Sequence, residues 1–496
     1  AGREDEDIEL GLAGFGAELR KRLGHLNAER QSVFGAVETA LVATERVSTA
    51  HACIPRDMVP IGNDQFLFGY NVQFGLKSTT ALADVFAIYR HDPETHVFTD
   101  AGLSLLSVEP FASDFSYLYK YYRETGFLKF HRIGVHLYMV FQVGKSVNDV
   151  KCFKWLLVDG RLEYLGNRFD HEVRFPPQQE FEWKRADRGM HREGVHPHIS
   201  IEDRLFVETV GGDLTIKIED NTTSGEGIYA ESVNHRDQTL DDAEIFYAIV
   251  GSLILLKILP YQEKNYRYFI YNEKVSTVAR VDSIATSCVL LPGDQGVIFA
   301  DGYHLQTGET KRFDSGLNEM LFERRILSPN GEDILFVFYN QTTGLNVLMP
   351  YNLIRQSVAT PILCHGYSIF PDGELIYFRG DGAAQKHHTL QVWRTPFMEG
   401  PFRTEEKTGS YLYKVGNADL VRCMAECHEI LNLLGKEDSF ADLYVDLTKR
   451  AGDIVDAWFW VGHEAAFDLK TPLLEIKAAA DAAISEFDKV KRLREN

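Results

Sequence analysis

Apolar residues recur every three or four positions near both ends of the chain. Between them they alternate, or run unbroken over short stretches. Residues 13–36 show the first pattern: Phe15, Leu19, Leu23, Leu26 and Val33 are spaced by three, four and seven, with Arg, Lys and Glu between them. That spacing predicts a helix with one buried stripe. From about residue 37 to about 400 the pattern becomes β-like, with short runs separated by Gly, Asn or Asp. Many of these runs form a strand, a tight polar turn and a second strand. "FKWLLVDGRLEYLG" (153–166) turns at Asp159-Gly160, "LFVETVGGDLTIKI" (205–218) at Gly211-Gly212, and "LFVFYNQTTGLNVLMPY" (335–351) at Thr343-Gly344. "YAIVGSLILLKIL" (247–259) is too short to span a bilayer and reads as two adjacent buried strands.

One punctuation occurs twice. "RILSPNGEDILFVFYN" (325–340) and "SIFPDGELIYFRGDG" (368–382) each place Pro early in a turn and Gly at its end, ahead of an apolar run. Pro presets φ and Gly supplies a positive φ, so both glycines are expected in the left-handed region. Ile334, Phe336 and Phe338 should alternate with Leu335 and Val337 in a strand buried on both sides. Ile376 and Phe378 are expected at the places matching the first set. Units of roughly 40–50 residues in this form signal a β-propeller, and seven or eight blades fit the length. A pair of β-sandwiches or an irregular β domain would give a similar pattern.

Helix returns after about residue 415. Asn417 is placed to cap "ADLVRCMAECHEILNLL", with Gly435 as its stop. Phe440, Leu443, Leu447, Ile454 and Val461 mark a second helix. Thr471-Pro472 should open a last one, with Leu473, Ile476, Ala480, Ala483, Phe487 and Val490 as its stripe. The predicted organisation is an N-terminal helical segment (1–36), a β-propeller (37–405) and a C-terminal helical segment (406–496).

Charge and cysteines narrow the function classes. A net charge of −20 over 496 residues argues against a general nucleic-acid surface, though not against a local basic patch. Six scattered cysteines, most of them in apolar runs, predict reduced thiols and a cytoplasmic protein. The acidic start "AGREDEDIEL" has the wrong sign for a signal peptide. A first residue other than methionine and a last helix without a stop signal fit a piece of a longer chain.

Motifs for chemistry are few. No G-x-x-x-x-G-K-[ST] phosphate loop occurs, and no G-x-S-x-G nucleophile elbow. "MHREGVHPHISIED" (190–203) brings His191, His196 and His198 close, with Glu193 or Asp203 as further zinc ligands. A His-rich loop entering a strand accounts for it more simply, and the expectation is no metal. Cys423 and Cys427, one helical turn apart, read as packing thiols. Glu219, Asp220, Asp241, Asp242 and Glu244 cluster in sequence without calcium-loop spacing. "YLYKYYRETGFLKFHR" (117–132) interleaves aromatics with cations, the composition of a single-strand nucleic-acid contact. Lys120, Tyr121, Tyr122 and Arg123 are its partner-binding candidates, and an amphipathic strand pair is the plainer reading.

Four stretches carry a resemblance: "ATERVSTAHACIPRDMVPIGNDQFLFGYNVQFGLK" (43–77), residues 218–274, "SPNGEDILFVFYN" and "YNLIRQSVATPILCHGYSIFPDGELIYFR" (351–379). In order, they resemble a bacterial family called "DNA repair ATPase". The resemblance implies a non-catalytic region preceding an AAA-type ATPase module. It thus implies a scaffold or adaptor that presents a protein partner or substrate to the ATPase, present in cis or in trans. Catalytic and cofactor residues are then expected to be none in this chain, with ATP and Mg needed only by the ATPase module. The competing expectations are a propeller enzyme with a metal or carboxylate site in its central channel, and a nucleic-acid-binding module of DNA repair.

Overall fold

The computed structural model describes residues 2–72, 79–122, 124–313, 317, 319–370, 372–380, 382–397, 409–435, 441–458 and 467–496. Side chains are described from residue 7, apart from those of 441, 442 and 487. The protein is mainly β; its described residues form six antiparallel sheets, with helices before and after them.

The largest sheet has seven strands, and its order reverses the ends of the β region: Tyr367–Ile369, Glu374–Arg379, Gln385–Arg394, Ala40–Gly62, Gln65–Val72, Phe86–His91 and Phe98–Asp100. One long strand, Ala40–Gly62, makes the join. Its first half pairs with Gln385–Arg394, from Ala40 opposite Arg394 to Ser48 opposite His387. Its second half pairs with Gln65–Val72, and the register breaks between Ser48 and Cys53 let the strand bend between the two. We call this the seam sheet. The other five follow in chain order at 126–166, 191–232, 244–280 (with Lys184–Arg185 added at its edge), 289–312 and 321–364.

Alternating side chains give most sheets two apolar faces, and each face fills a core with a neighbour. Val85, Phe86 and Ile88 meet Phe127, Met139 and Trp155 of the 126–166 sheet. Separate cores join 191–232 to 244–280, 244–280 to 289–312, 289–312 to 321–364, and 321–364 to the seam sheet. A further core lies inside the seam sheet, where Phe66, Phe68 and Tyr70 from one arm pack on Ile376, Phe378 and Leu390 from the other.

Both punctuated turns lead into the second strand of a sheet, and both glycines have positive φ, 67° at Gly331 and 88° at Gly373. Ile334 to Phe338 are all buried. The expected matching of side chains does not hold. Ile334, Phe336 and Phe338 face the 289–312 sheet, whereas Ile376 and Phe378 face the opposite arm of the seam sheet. The reason is turn length. Ser328 N–H donates to Asp333 O around residues 329–332, while Phe370 N–H donates to Glu374 O around the shorter 371–373. One residue fewer exchanges the two faces of the strand, so Leu335 and Val337 are the true counterparts of Ile376 and Phe378.

The terminal helices form one body. Helix Gly2–Phe34 packs with Asn417–Leu434, Ala441–Ala457 and Lys470–Glu495 around Leu19, Leu23, Leu26, Cys423, Cys427, Leu447, Leu473, Ile476 and Ala480. Asn417 does not cap its helix. It lies inside the first turn, accepts from Arg30 Nη1 at 3.0 Å and donates to Asn330 O. In the last helix Asp468 caps in place of Thr471, accepting from the N–H groups of Lys470 and Thr471 at 3.0 and 3.2 Å. Val490 of the expected stripe is exposed, and Phe440, Val461 and the Phe487 side chain lie outside the described residues. Residues 117–121 are helical, not extended, because Phe111, Phe115 and Leu118 of helix Phe111–Tyr121 bury one face at spacings of four and three.

Candidate functional site

The strands Ala40–Gly62, Gly126–Ile133, Leu321–Leu327 and Tyr367–Ile369 converge on a cavity of about 1070 Å³. Gly126–Ile133, Leu321–Leu327 and Tyr367–Ile369 are edge strands of their sheets, whereas Ala40–Gly62 lies in the middle of the seam sheet and contributes from its second half. Charged side chains interrupt otherwise apolar strands here. Arg56, Lys129, Arg132 and Arg324 line the cavity with Asp57, Glu323, Asp159 and His131. Four cations thus face three carboxylates, a slight positive excess in a chain of net charge −20.

Asp57 sits at the bulge where the seam strand breaks register between Pro55 and Asp57. Its Oδ1 accepts from Met58 N–H and its Oδ2 from Phe130 N–H, both at 2.8 Å, so it stitches the seam strand to the 126–166 sheet. Gly366, with φ 99°, lets the chain approach: a Cβ there would lie 2.7 Å from Asp57 Cα. Burial, followed by the nearby Glu323 carboxylate, pushes the Asp57 pKa up to about 7, against the pull of its two N–H donors.

The cations are held in place. Arg56 is buried and donates from Nη2 to Gln341 O at 3.2 Å and Tyr339 Oη at 3.4 Å. Lys129 is buried with its Nζ 4.1 Å from the Phe175 ring centre and 5.4 Å from that of Tyr339. Arg324 donates to Tyr367 Oη at 2.9 Å and lies over the same ring. His131 is kept neutral, its pKa lowered to about 4 by burial and then by Lys129. Tyr339 is raised to about 12 by burial, so its hydroxyl keeps its proton.

The sequence candidates fall elsewhere. His196 pairs with Glu208 at 3.0 Å and His198 with Asp220 at 2.8 Å, so each imidazole has its own carboxylate; His191 lies on the short strand His191–Arg192, paired with Ile199. The acidic run is likewise dispersed: Asp241 lies against Arg188, and Glu244 accepts from Tyr266. Tyr121 is exposed and stacks on Tyr117 with ring centres 4.7 Å apart, Lys120 lies beside them, and Tyr122 turns inward against the core. Arg123 lies outside the described residues. The same stretch also carries Lys129 and Arg132, which do reach the cavity. Arg56, Asp57, Glu323 and Arg324 were missed, although "IPRDMVP" and "LFERRIL" show the signal: ionisable groups inside β-forming runs.

Two other places collect polar groups. An open depression of about 820 Å³ holds Glu231, Glu263, Arg267 and Arg280, which pair with one another. Among the described residues, one group has metal-ligand geometry: His91, His96 and Glu374, with a donor atom from each within 4.8 Å of the others.

No curated protein matches the chain. Solved structures with some likeness include one titled as the mitotic checkpoint complex (9% identity, 73% of this chain and 93% of that one, TM-score 0.27) and an AfRom2 CNH domain (9%, 72% and 98%, TM-score 0.25). A GH43_1 enzyme from Xanthomonas citri is similar at 7% identity over 74% of this chain and 92% of that one, with a TM-score of 0.25. Likenesses this distant carry no argument. No described helix is long and apolar enough to cross a membrane. The sequence itself is decisive: residues 18–459 match the family described as "ATPase involved in DNA repair", and the chain belongs to that family.

Proposed function

We propose that this chain is a seven-bladed β-propeller acting as the non-catalytic recognition module of an ATPase system. The blades are the five sheets from 126 to 364 and the two arms of the seam sheet, with Ala40–Gly62 shared between first and last. Successive apolar cores support this arrangement, as does the seam strand, which joins the two ends of the β region as a propeller closure would. The single observation that carries the functional reading is the cavity, where four cations from three sheets converge in an acidic protein. Such a site favours a negatively charged segment of a protein partner. The helical body, formed from both ends of the chain, is suited to couple that partner to an AAA-type ATPase module.

A photo-crosslinking residue at Ile369, on the cavity wall, tests this against one at Val195, an exposed position in the loop before the strand His198–Ile201. The expected result is a partner crosslinked from Ile369 and not from Val195, with the product lost in Arg132→Glu and Arg324→Glu. Equal crosslinking from both positions would contradict the reading. A second reading, a carboxylate-based enzyme, rests on Asp57, whose pKa near 7 suits a general acid or base. It requires a turnover that Asp57→Asn abolishes.

A further inference from the structure

We propose that His91, His96 and Glu374 form a binding site for one divalent transition-metal ion of the zinc class. The site lies where the two arms of the seam sheet meet. His91 ends the strand Phe86–His91, His96 lies in the turn that follows, and Glu374 opens the strand Glu374–Arg379 after the second punctuated turn. Some 280 residues separate the histidines from the glutamate in sequence, and the folding of the seam sheet on itself brings them together.

The separations suit a metal better than hydrogen bonds. His96 Nδ1 and Glu374 Oε1 are 3.7 Å apart, too far for a hydrogen bond. Ligands about 2.0–2.2 Å from zinc in a tetrahedron lie roughly 3.3–3.6 Å from one another, so small side-chain rotations bring all three atoms onto one ion.

Unsatisfied atoms point to the same place. His91 is 4% exposed, and its Nε2 has no hydrogen-bond partner; neither has the buried Nδ1 of His96. Buried polar atoms are nearly always partnered, and an orphaned one is destabilising. A metal ion would accept both lone pairs at once. Two imidazoles and one carboxylate are a zinc-type donor set, whereas magnesium and calcium favour all-oxygen sites.

The ligands are also fixed in advance. Asp92 Oδ1 accepts from the N–H groups of Glu94 and Thr95, and His96 N–H donates to Asp92 O at 2.8 Å. His96 is held at φ 63°, a left-handed conformation that non-glycine residues seldom adopt. The His91 ring is wedged against Phe98 at 4.8 Å and Phe66 at 5.8 Å. Asp64, Asp92 and Asp372 add negative potential around it. A bound ion would therefore pin the first arm of the seam sheet to the last.

The test is titration of the metal-free chain with Zn(II) by calorimetry and with Co(II) by visible absorption, Mg(II) serving as control. The expected result is one saturable Zn(II) site per chain, a tetrahedral Co(II) spectrum, no response to Mg(II), and a higher Tm with Zn(II). His96→Asn, which tolerates the left-handed backbone, and Glu374→Gln should each weaken Zn(II) binding at least about tenfold. Their metal-free Tm should stay near that of the parent chain. His196→Ala, in the other histidine cluster, should bind like the parent. Absence of saturable Zn(II) binding, unchanged affinity in both ligand variants, or loss of binding in His196→Ala would overturn the proposal.

Discussion

The turns at Ser328–Glu332 and Phe370–Gly373 share their chemistry and differ in what surrounds them. In both, a glycine with positive φ closes a short connection into the second strand of a sheet. The first turn is the anchor of the helical body. Asn330 Nδ2 donates to Gly35 O at 2.9 Å, Asn417 donates to Asn330 O, and the fully buried Arg30 pairs with Glu332 and donates to the Oδ1 atoms of Asn27 and Asn417. The second turn faces the other arm of the seam sheet, with Phe370 on Phe66 at 4.6 Å and Glu374 beside His96. Local physics sets the turn, and the residues placed just outside it decide whether it docks helices or closes a seam.

The largest effects should separate the strands behind the turns from the turns themselves. Phe336→Ala should cost about 3–5 kcal/mol, as for a buried aromatic, and Phe378→Ala a similar amount through a different core. Denaturant unfolding measures both; a loss below about 1 kcal/mol for either would mean that its core is not closed. Arg30→Ala acts through the first turn alone. It leaves Glu332 buried without its cation and should also cost about 3–5 kcal/mol. Hydrogen exchange should then show the helical body loosened while the seam sheet stays protected. Loosening spread evenly over both would erase the contrast between the turns.

Smaller effects should reveal what the two turns share. Gly331→Ala and Gly373→Ala should each cost roughly 1–2 kcal/mol, since both place a Cβ in the left-handed region. A marked difference between them would show that surroundings outweigh backbone conformation. The last effect is confined to a pH window. The folded pKa of Asp57 lies above its unfolded value, so the folded state binds the extra proton. Its contribution is most favourable at low pH and declines as pH rises from about 4 to about 7. In Asp57→Asn that decline should be missing from the stability profile, and an unchanged slope would place the Asp57 carboxylate in water.

Helices, paired strands and punctuation were legible because each depends on neighbours in sequence. Leu19, Leu23 and Leu26 announce a stripe, and Asp159-Gly160 announces a hairpin. What was hidden depends on long-range pairing. Nothing near Ala40–Gly62 says that one strand serves two arms of a sheet, and nothing local shows that "SPNGED" is one residue longer than its counterpart in the way that exchanges faces. The cavity residues were visible only as charges in β runs, each explicable alone as an exposed edge. Asn417 misled for a related reason: its type suits a cap, but Arg30 and Asn330 claim its side chain from distant parts of the chain.

The proposed propeller requires its ring to be closed between the 126–166 and 191–232 sheets. Spin labels at Leu165, on the strand Arg161–Gly166, and at Val195, in the loop before the strand His198–Ile201, both exposed, report on closure through their distance distribution. A closed ring predicts one narrow distribution, whose mean shifts but whose width stays narrow when the labels are moved to neighbouring exposed positions. A broad distribution, with the two sheets moving independently, would contradict it.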